Sequence, residues 1–261
     1  MVEINQNLLD QLYDKYKDLP LLINEKQCWT FAEFFNEAYL ISNSLSTDPQ
    51  KRIGLCSENL EFLLLAMMAI WMREAIVVPL NPKFPARQKE ELLRKVKCDI
   101  TLSENYTRTN SQSQITRGMP LLNPDAWSTI IFTSGSSGFP KAVVHTLANH
   151  FFSALGANKI MPLKPGDRWL MSLPLFHVGG LAILFRSLLS GSSIVIPAKK
   201  KTLIQNIEEN QITHLSLVPT QLQRLLKTGK GRNSLHKLKL ILLGGSAIPE
   251  SLMEHSSKLG L

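Results

Sequence analysis

Three observations predict an α/β fold for this chain of 261 residues. Short β-rich apolar runs alternate with longer helical patterns, which reads as a series of βα units. Hydrophobic residues make up 44% of the chain and charged residues 19%, a balance that excludes disordered, collagen-like and disulfide-scaffold proteins. A compact chain of this size buries roughly 70–75% of the surface its unfolded form exposes, enough for one large domain or two small ones without covalent staples.

The elements follow in order. Thr30-Phe31-Ala32-Glu33 is a capping box that opens a helix running to about Leu45. Arg52–Cys56 reads as a short strand, Asn59–Met72 as a buried helix, and Ala75–Leu80 as a strand ended by Asn81-Pro82. Ala86–Lys97 is amphipathic, with Leu92, Leu93 and Val96 on one face, and Ile100–Leu102 supplies the next strand. From Ser103 to Ala126 the sequence turns polar, and the absence of an apolar pattern predicts a flexible connection between a first α/β part (1–102) and a second (127–261). The second part reads as strand Thr129–Phe132, a Gly/Ser loop, strand Ala142–Val144, helix Leu147–Lys159, strand Trp169–Leu173, helix Gly180–Leu189 and strand Ser193–Ile196. It continues with helix Leu203–Glu209, strand His214–Val218, a helix after Pro219, strand Leu238–Leu243 and a helix from Pro249. Gly260-Leu261 falls where a βα unit would supply its next strand, so the pattern is expected to continue in a longer protein.

The longest apolar run, Phe62–Met72, is too short to span a bilayer unaided. Met1-Val2-Glu3-Ile4-Asn5 carries neither a basic nor an apolar leader pattern, and Cys28, Cys56 and Cys98 are spread without metal-ligand spacing. Reduced packing thiols, no metal site of the chain's own and a cytoplasmic location are expected. The net charge is +8. Lys199-Lys200-Lys201 and the looser group Lys227, Lys230, Arg232, Lys237 and Lys239 lack the interleaved aromatic residues that stack bases, so they read as solvated faces and no nucleic-acid partner is expected. A positive field also favours an anionic small molecule. Homo-oligomerisation is left open.

The strongest local signal is Ile130-Ile131-Phe132-Thr133-Ser134-Gly135-Ser136-Ser137-Gly138-Phe139-Pro140-Lys141, an apolar strand running into glycines and hydroxyls that end in a lysine. Glycine lets backbone N–H groups approach an anion, hydroxyls donate to phosphate oxygens and one lysine adds a mobile positive charge. The spacing matches neither G-x-x-x-x-G-K-[ST] nor G-x-G-x-x-G. By composition alone the segment suits a surface loop as well as a phosphate cradle.

In order, however, Thr133–Lys141 resembles the signature loop of the adenylate-forming superfamily of acyl- and aryl-CoA ligases, luciferases and peptide-synthetase adenylation domains. Ser172-Leu173-Pro174-Leu175-Phe176-His177-Val178-Gly179-Gly180 resembles its next motif. By physics alone a lone histidine there is more often a structural hydrogen-bonding group than a pocket residue, and at position 177 the family context reverses that balance. Leu242-Leu243-Gly244-Gly245-Ser246-Ala247-Ile248-Pro249 resembles the family's Gly-Gly-Ala turn, although an ordinary strand-to-helix turn has the same composition. Together with Pro140-Lys141-Ala142-Val143-Val144-His145-Thr146 and Ser216-Leu217-Val218-Pro219-Thr220-Gln221-Leu222, these phrases are most similar to the o-succinylbenzoate CoA ligases of menaquinone synthesis. The resemblance is good from Trp127 to Leu261 and rests on pattern before Ser103. One departure is Glu74, where many relatives place glycine.

The resemblance implies the large N-terminal domain of adenylate-forming enzymes, built from stacked α/β sheet subdomains and lacking the C-terminal lid domain. It implies that Thr133, Ser134, Gly135, Ser136, Ser137, Gly138 and Lys141 hold the β- and γ-phosphates of ATP, with Gly244, Gly245, Ser246 and Ala247 against adenine. His177, Ser216, Pro219, Thr220 and Gly244 would contact the acid, and Lys141 and His177 would take the catalytic roles. ATP and CoA are the implied cosubstrates. Magnesium is implied too, but its glutamate, a ribose-binding aspartate and a lid lysine are expected after Leu261, so the isolated chain is expected to be inactive. Another acyl- or aryl-CoA ligase, or a non-catalytic nucleotide-binding protein, is the alternative.

Overall fold

The computed structural model describes residues 3–104, 118–133 and 140–261. Ser134, Gly135, Ser136, Ser137 and Gly138 of the glycine-rich segment, and residues 105–117 of the polar stretch, lie outside the described residues.

The chain begins with α1 (Leu8–Tyr16), whose Leu8, Leu9, Leu12 and Tyr16 are buried, and the antiparallel pair β1 (Pro20–Ile23) and β2 (Cys28–Thr30). The predicted capping box then opens α2 (Phe31–Ser44): Glu33 N–H donates to Thr30 Oγ1 and Thr30 N–H donates to the Glu33 carboxylate. There follow β3 (Arg52–Leu55), α3 (Leu60–Trp71), β4 (Ile76–Pro79), α4 (Ala86–Lys95) and β5 (Ile100–Leu102). The next series is β6 (Trp127–Thr133), β7 (Lys141–Thr146), α5 (Leu147–Ile160), β8 (Arg168–Leu170), α6 (Val178–Ser190), β9 (Ser193–Val195) and α7 (Leu203–Glu209). The last is β10 (His214–Leu217), α8 (Pro219–Leu226), α9 (Gly229–Leu235), β11 (Leu240–Leu243) and α10 (Glu250–Lys258).

Two sheets result. One runs β11-β10-β8-β9-β1-β2 and the other β5-β3-β4-β6-β7, each parallel except for its final hairpin. Neither sheet is confined to one side of residues 103–126: β1 and β2 join the late strands, while β6 and β7 join the early ones. The main core draws Leu22, Trp169 and Ile194 from one sheet and Ile53, Val77 and Ile131 from the other, packed around α2, α3, α5 and α6. A second core sets Leu215 and Leu217 against Leu222, Leu225, Leu226 and Leu252 of the helices outside the six-stranded sheet. A third sets Ile76, Val78 and Ile130 against Leu93 and Val96 in and after α4. The layers therefore read helix, sheet, helix, sheet, helix. α3 is buried on every side from Leu63 to Trp71 because it lies in the middle layer, and its Trp71 indole donates to Ser128 O at 2.9 Å.

The described end of the polar stretch is anchored, while the part expected to be a flexible connection, residues 105–114, lies outside the described residues. Met119 N–H donates to Asp10 Oδ1 at 2.7 Å, Leu122 N–H to Gln6 O at 3.0 Å and Asn123 N–H to Glu74 Oε1 at 2.7 Å, while Met119 and Leu122 sit in the core. Two buried apolar side chains offset the ordering cost in a segment otherwise rich in polar residues. Glu74 has φ +53°, a conformation that glycine adopts without strain, so its departure from the family pattern is confined to a tight turn.

Candidate active site

The β6–β7 hairpin brings together the two ends of the glycine-rich segment. Its register pairs Thr133 with Lys141, the last and first residues of the two strands. Thr133 Oγ1 stands 3.5 Å from Lys141 O. Lys95 at the end of α4 donates from Nζ to Pro140 O at 2.6 Å, pinning the residue before Lys141 to the neighbouring helix. Lys95 escaped the sequence reading because it looks like any exposed lysine in the last turn of an amphipathic helix.

From Thr133 a cavity of about 440 Å³ leads to His177. Pro79 at the end of β4 and Leu80, Asn81 and Phe84 after it form one side, Phe132, Val143 and His145 of the hairpin another, and Phe176, His177 and Val178 close it. His177 sits at the N-terminus of α6, its ring 4.6 Å from that of Phe176. Partial desolvation holds its imidazole below the usual histidine pKa, so it is neutral at pH 7 and each ring nitrogen is free to donate or accept according to tautomer. Gly180 gives the close turn its shape: a Cβ there would lie 2.2 Å from Pro174 O. Thr133, His177 and the neighbour of Lys141 are thus brought to one cavity.

The other predicted residues fall into two further places. Alternation along β10 turns His214 and Ser216 toward the middle layer and Leu215 and Leu217 away from it. Ser216 accepts a hydrogen bond from the Trp169 indole at 3.1 Å, and Ser172 Oγ donates to Ser216 O at 2.6 Å, so the segment that carries His177 starts from a residue bound to Ser216. Next to it, Gly244 N–H donates to Leu217 O at 3.1 Å. Gly245 has φ +87° and lies against Val218, whereas Ser246 and Ala247 are exposed. Pro219 and Thr220, in contrast, line a groove on the outer side of the six-stranded sheet, away from Ser216.

One charged residue reaches the middle layer unannounced. Arg186 of α6 lies with its guanidinium carbon 5.2 Å from the centre of the Trp169 ring, half-buried, and among the described residues its Nε has no hydrogen-bond partner. Burial lowers its pKa from the usual arginine value. Val178, Ala182 and Arg186 recur at four-residue spacing, forming the less buried stripe of an otherwise apolar helix that begins at the cavity. A single charge within the run Val178–Ser190 was the signal that sequence reasoning passed over.

Comparison with known proteins places this architecture. A family model described as AMP-binding enzyme matches residues 9–260. The chain is 38% identical over 207 residues to a 2-succinylbenzoate–CoA ligase of Salmonella typhimurium, covering 76% of this chain and 44% of that one. It is similar in structure to the o-succinylbenzoate CoA synthetase of Bacillus subtilis bound with the product analogue OSB-NCoA, with TM-score 0.86, 26% identity and coverage of 98% and 57% of the two chains. The N-terminal subdomain of Klebsiella oxytoca NpsA, in complex with 3-hydroxybenzoyl-AMSN, shares the fold at TM-score 0.84 and 19% identity, covering 96% of this chain and 68% of that one. The chain spans about half the length of the ligase relatives it matches.

Proposed function

The chain belongs to the AMP-binding enzyme family, and on that footing we propose that it serves an ATP-dependent, AMP-forming acid–thiol ligase that activates o-succinylbenzoate and transfers it to CoA in menaquinone synthesis. In the first half-reaction a carboxylate oxygen attacks the α-phosphorus of ATP and pyrophosphate leaves. In the second, the CoA thiol adds to the acyl-adenylate carbonyl and AMP leaves. The first step brings anions together, so its barrier falls with donors and positive charge fixed around the phosphates. Lys141 and Thr133 have that role in this reading, with Ser134, Gly135, Ser136, Ser137 and Gly138 between them, and Gly244, Gly245, Ser246 and Ala247 form the shelf for adenine.

The observation that carries the reading is the joining of Thr133 and His177 by one cavity, with Lys141 paired to Thr133 in register. Arg186 supports the choice of acid. o-Succinylbenzoate keeps a second carboxylate after the first is activated, and an unpaired, half-buried guanidinium suits that group. From Val178 to Arg186 the helix rises about 12 Å, a span that an aromatic diacid and an extended arginine side chain together can bridge. Ser216, held by Trp169, lies beside that path. Pro219 and Thr220 line the groove on the outer side of the six-stranded sheet and take no part in the acid pocket in this reading.

Magnesium enters this reading with the phosphates of ATP. Among the described residues no group of three His, Cys, Asp or Glu side chains stands close enough to hold a metal, and no step is assigned to one. Among the described residues no helix is long and apolar enough to cross a membrane, and three free cysteines accord with a cytoplasmic location.

The test is a coupled AMP-release screen over carboxylic acids, using the protein extended to the length of its relatives. Release with o-succinylbenzoate is expected, and its absence removes that substrate. The 261-residue chain alone is expected to give no adenylate-dependent pyrophosphate exchange; robust exchange would show that the chain needs nothing further.

A further inference from the structure

The six-stranded sheet has a second face, and the groove on it is built differently from the candidate active site. α8, α9 and α10 enclose about 630 Å³ there. Leu215 and Leu217 point toward this side and Ser216 away from it, so the sheet itself separates the groove from the middle layer. Pro219, Leu226, Pro249 and Leu252 supply apolar walls, and Lys227, Arg232 and His255 the basic end, with no acidic side chain in the lining.

The cations are not accounted for by ion pairs. Lys230 and Lys237 reach Glu208, and Lys239 reaches Asp167. Among the described residues, Lys227 and Arg232 have no carboxylate partner. Arg232 donates one N–H to Leu226 O at 2.8 Å, which holds it against the end of α8 and leaves the rest of its fork for another acceptor. Gly231 makes that approach possible, since a Cβ there would lie 2.1 Å from Leu225 O. The opposite end of the groove is formed by the first turns of α8 and α10, where Pro219 and Pro249 present apolar surface. α8 has eight residues and is therefore about 12 Å long, which suits a nucleotide-sized molecule and is short for a protein interface.

We propose that this groove binds a phosphate monoester carried on a flat apolar body, the phosphate at Lys227, Arg232 and His255 and the body between the two prolines and Leu252. The groove shares no lining residue with the cavity between Thr133 and His177.

Calorimetric titration of the chain with 1-naphthyl phosphate tests this, with inorganic phosphate and 1-naphthol as the two partial ligands. One saturable site is expected for 1-naphthyl phosphate, with each partial ligand about tenfold weaker or more. Lys227→Glu combined with His255→Glu, both exposed positions, should weaken binding by about tenfold or more without moving Tm. Excess ATP should not displace the probe. Unchanged affinity in the double variant, displacement by ATP, or the lack of a saturable site each overturns the proposal; none of these outcomes bears on the ligase activity.

Discussion

The guanidinium of Arg186 lies over the ring of Trp169, whose own indole N–H is committed to Ser216, so a cation, an aromatic face and a hydroxyl form one unit in the middle layer. The cation–π contact offsets part of the desolvation of Arg186, by about 0.5–2 kcal/mol, but provides no counter-charge. Arg186→Met should therefore leave urea stability unchanged or raised, since it removes a half-buried charge that has no ion-pair partner among the described residues. In the extended protein the same change should weaken o-succinylbenzoate, read as KM, by about tenfold or more, with ATP little affected. Arg186→Lys should fall between, keeping charge and losing the planar fork.

Acid should destabilise the protein through His150. This side chain stacks on Phe185 with ring centres 4.6 Å apart and stands 3.2 Å from Thr129 Oγ1. Burial, reinforced by His145 beside it, pushes its pKa down to about 3. Above the unfolded-state value near 6.5 both states are neutral and the group contributes nothing. As pH falls below that value, the unfolded chain takes up a proton that the folded chain refuses, and stability drops by up to about 1.4 kcal/mol per pH unit until roughly pH 3. Urea midpoints between pH 7 and 4 should show this slope, and His150→Phe should flatten it while costing about 1 kcal/mol at pH 7 for the Thr129 contact.

Adjacent glycines in the His177 segment should respond unequally. A Cβ at Gly179 would meet only the end of the Leu173 side chain at 3.0 Å, whereas one at Gly180 would strike backbone at Pro174. Gly180→Ala should cost about 3 kcal/mol or more, and Gly179→Ala less than about 1 kcal/mol. Equal effects in chemical denaturation would refute the geometry assigned to this turn.

A second acid-sensitive element is Asp167, whose carboxylate is 2% exposed and receives Lys239 Nζ at 2.6 Å. Burial alone would raise its pKa, but the hydrogen bonds from Lys239 and from Lys164 N–H prevail and lower it. Its contribution is present above the ordinary carboxylate range and lost as pH falls through it. Lys239→Met should cost about 1–3 kcal/mol at neutral pH by stranding the carboxylate, and should move the acid-unfolding midpoint upward. Circular dichroism followed from pH 6 to pH 2 reads both.

Local patterns in the sequence were sufficient for the helices and most strands, because capping boxes and apolar periodicity act within a few residues. Thr30–Glu33 forms as read, and α3 is buried as its unbroken apolar run requires. α1, β1, β2 and α9 were missed. β1 and β2 are too short to show a period, and the stripe Leu8, Leu9, Leu12 and Tyr16 of α1 has meaning only against a core assembled from distant segments. The exchange of hairpins between sheets was illegible for the same reason, since period reports which face is apolar and not which strand lies alongside. At the site, motif order led to Thr133, Lys141 and His177, while Arg186 and Lys95 owe their positions to packing that no neighbouring residue announces.

That exchange of hairpins has a consequence during synthesis. Pro20 O receives its bond from Ser193 Oγ, and Tyr16 its acceptor from Leu189, each partner being 173 residues downstream. A ribosome takes roughly 10–35 s to make that much chain. Throughout this interval Leu21 and Leu22 emerge without the strand that will cover them, a window in which a nascent-chain chaperone has more to hold here than on a protein whose sheets close in the order they are translated.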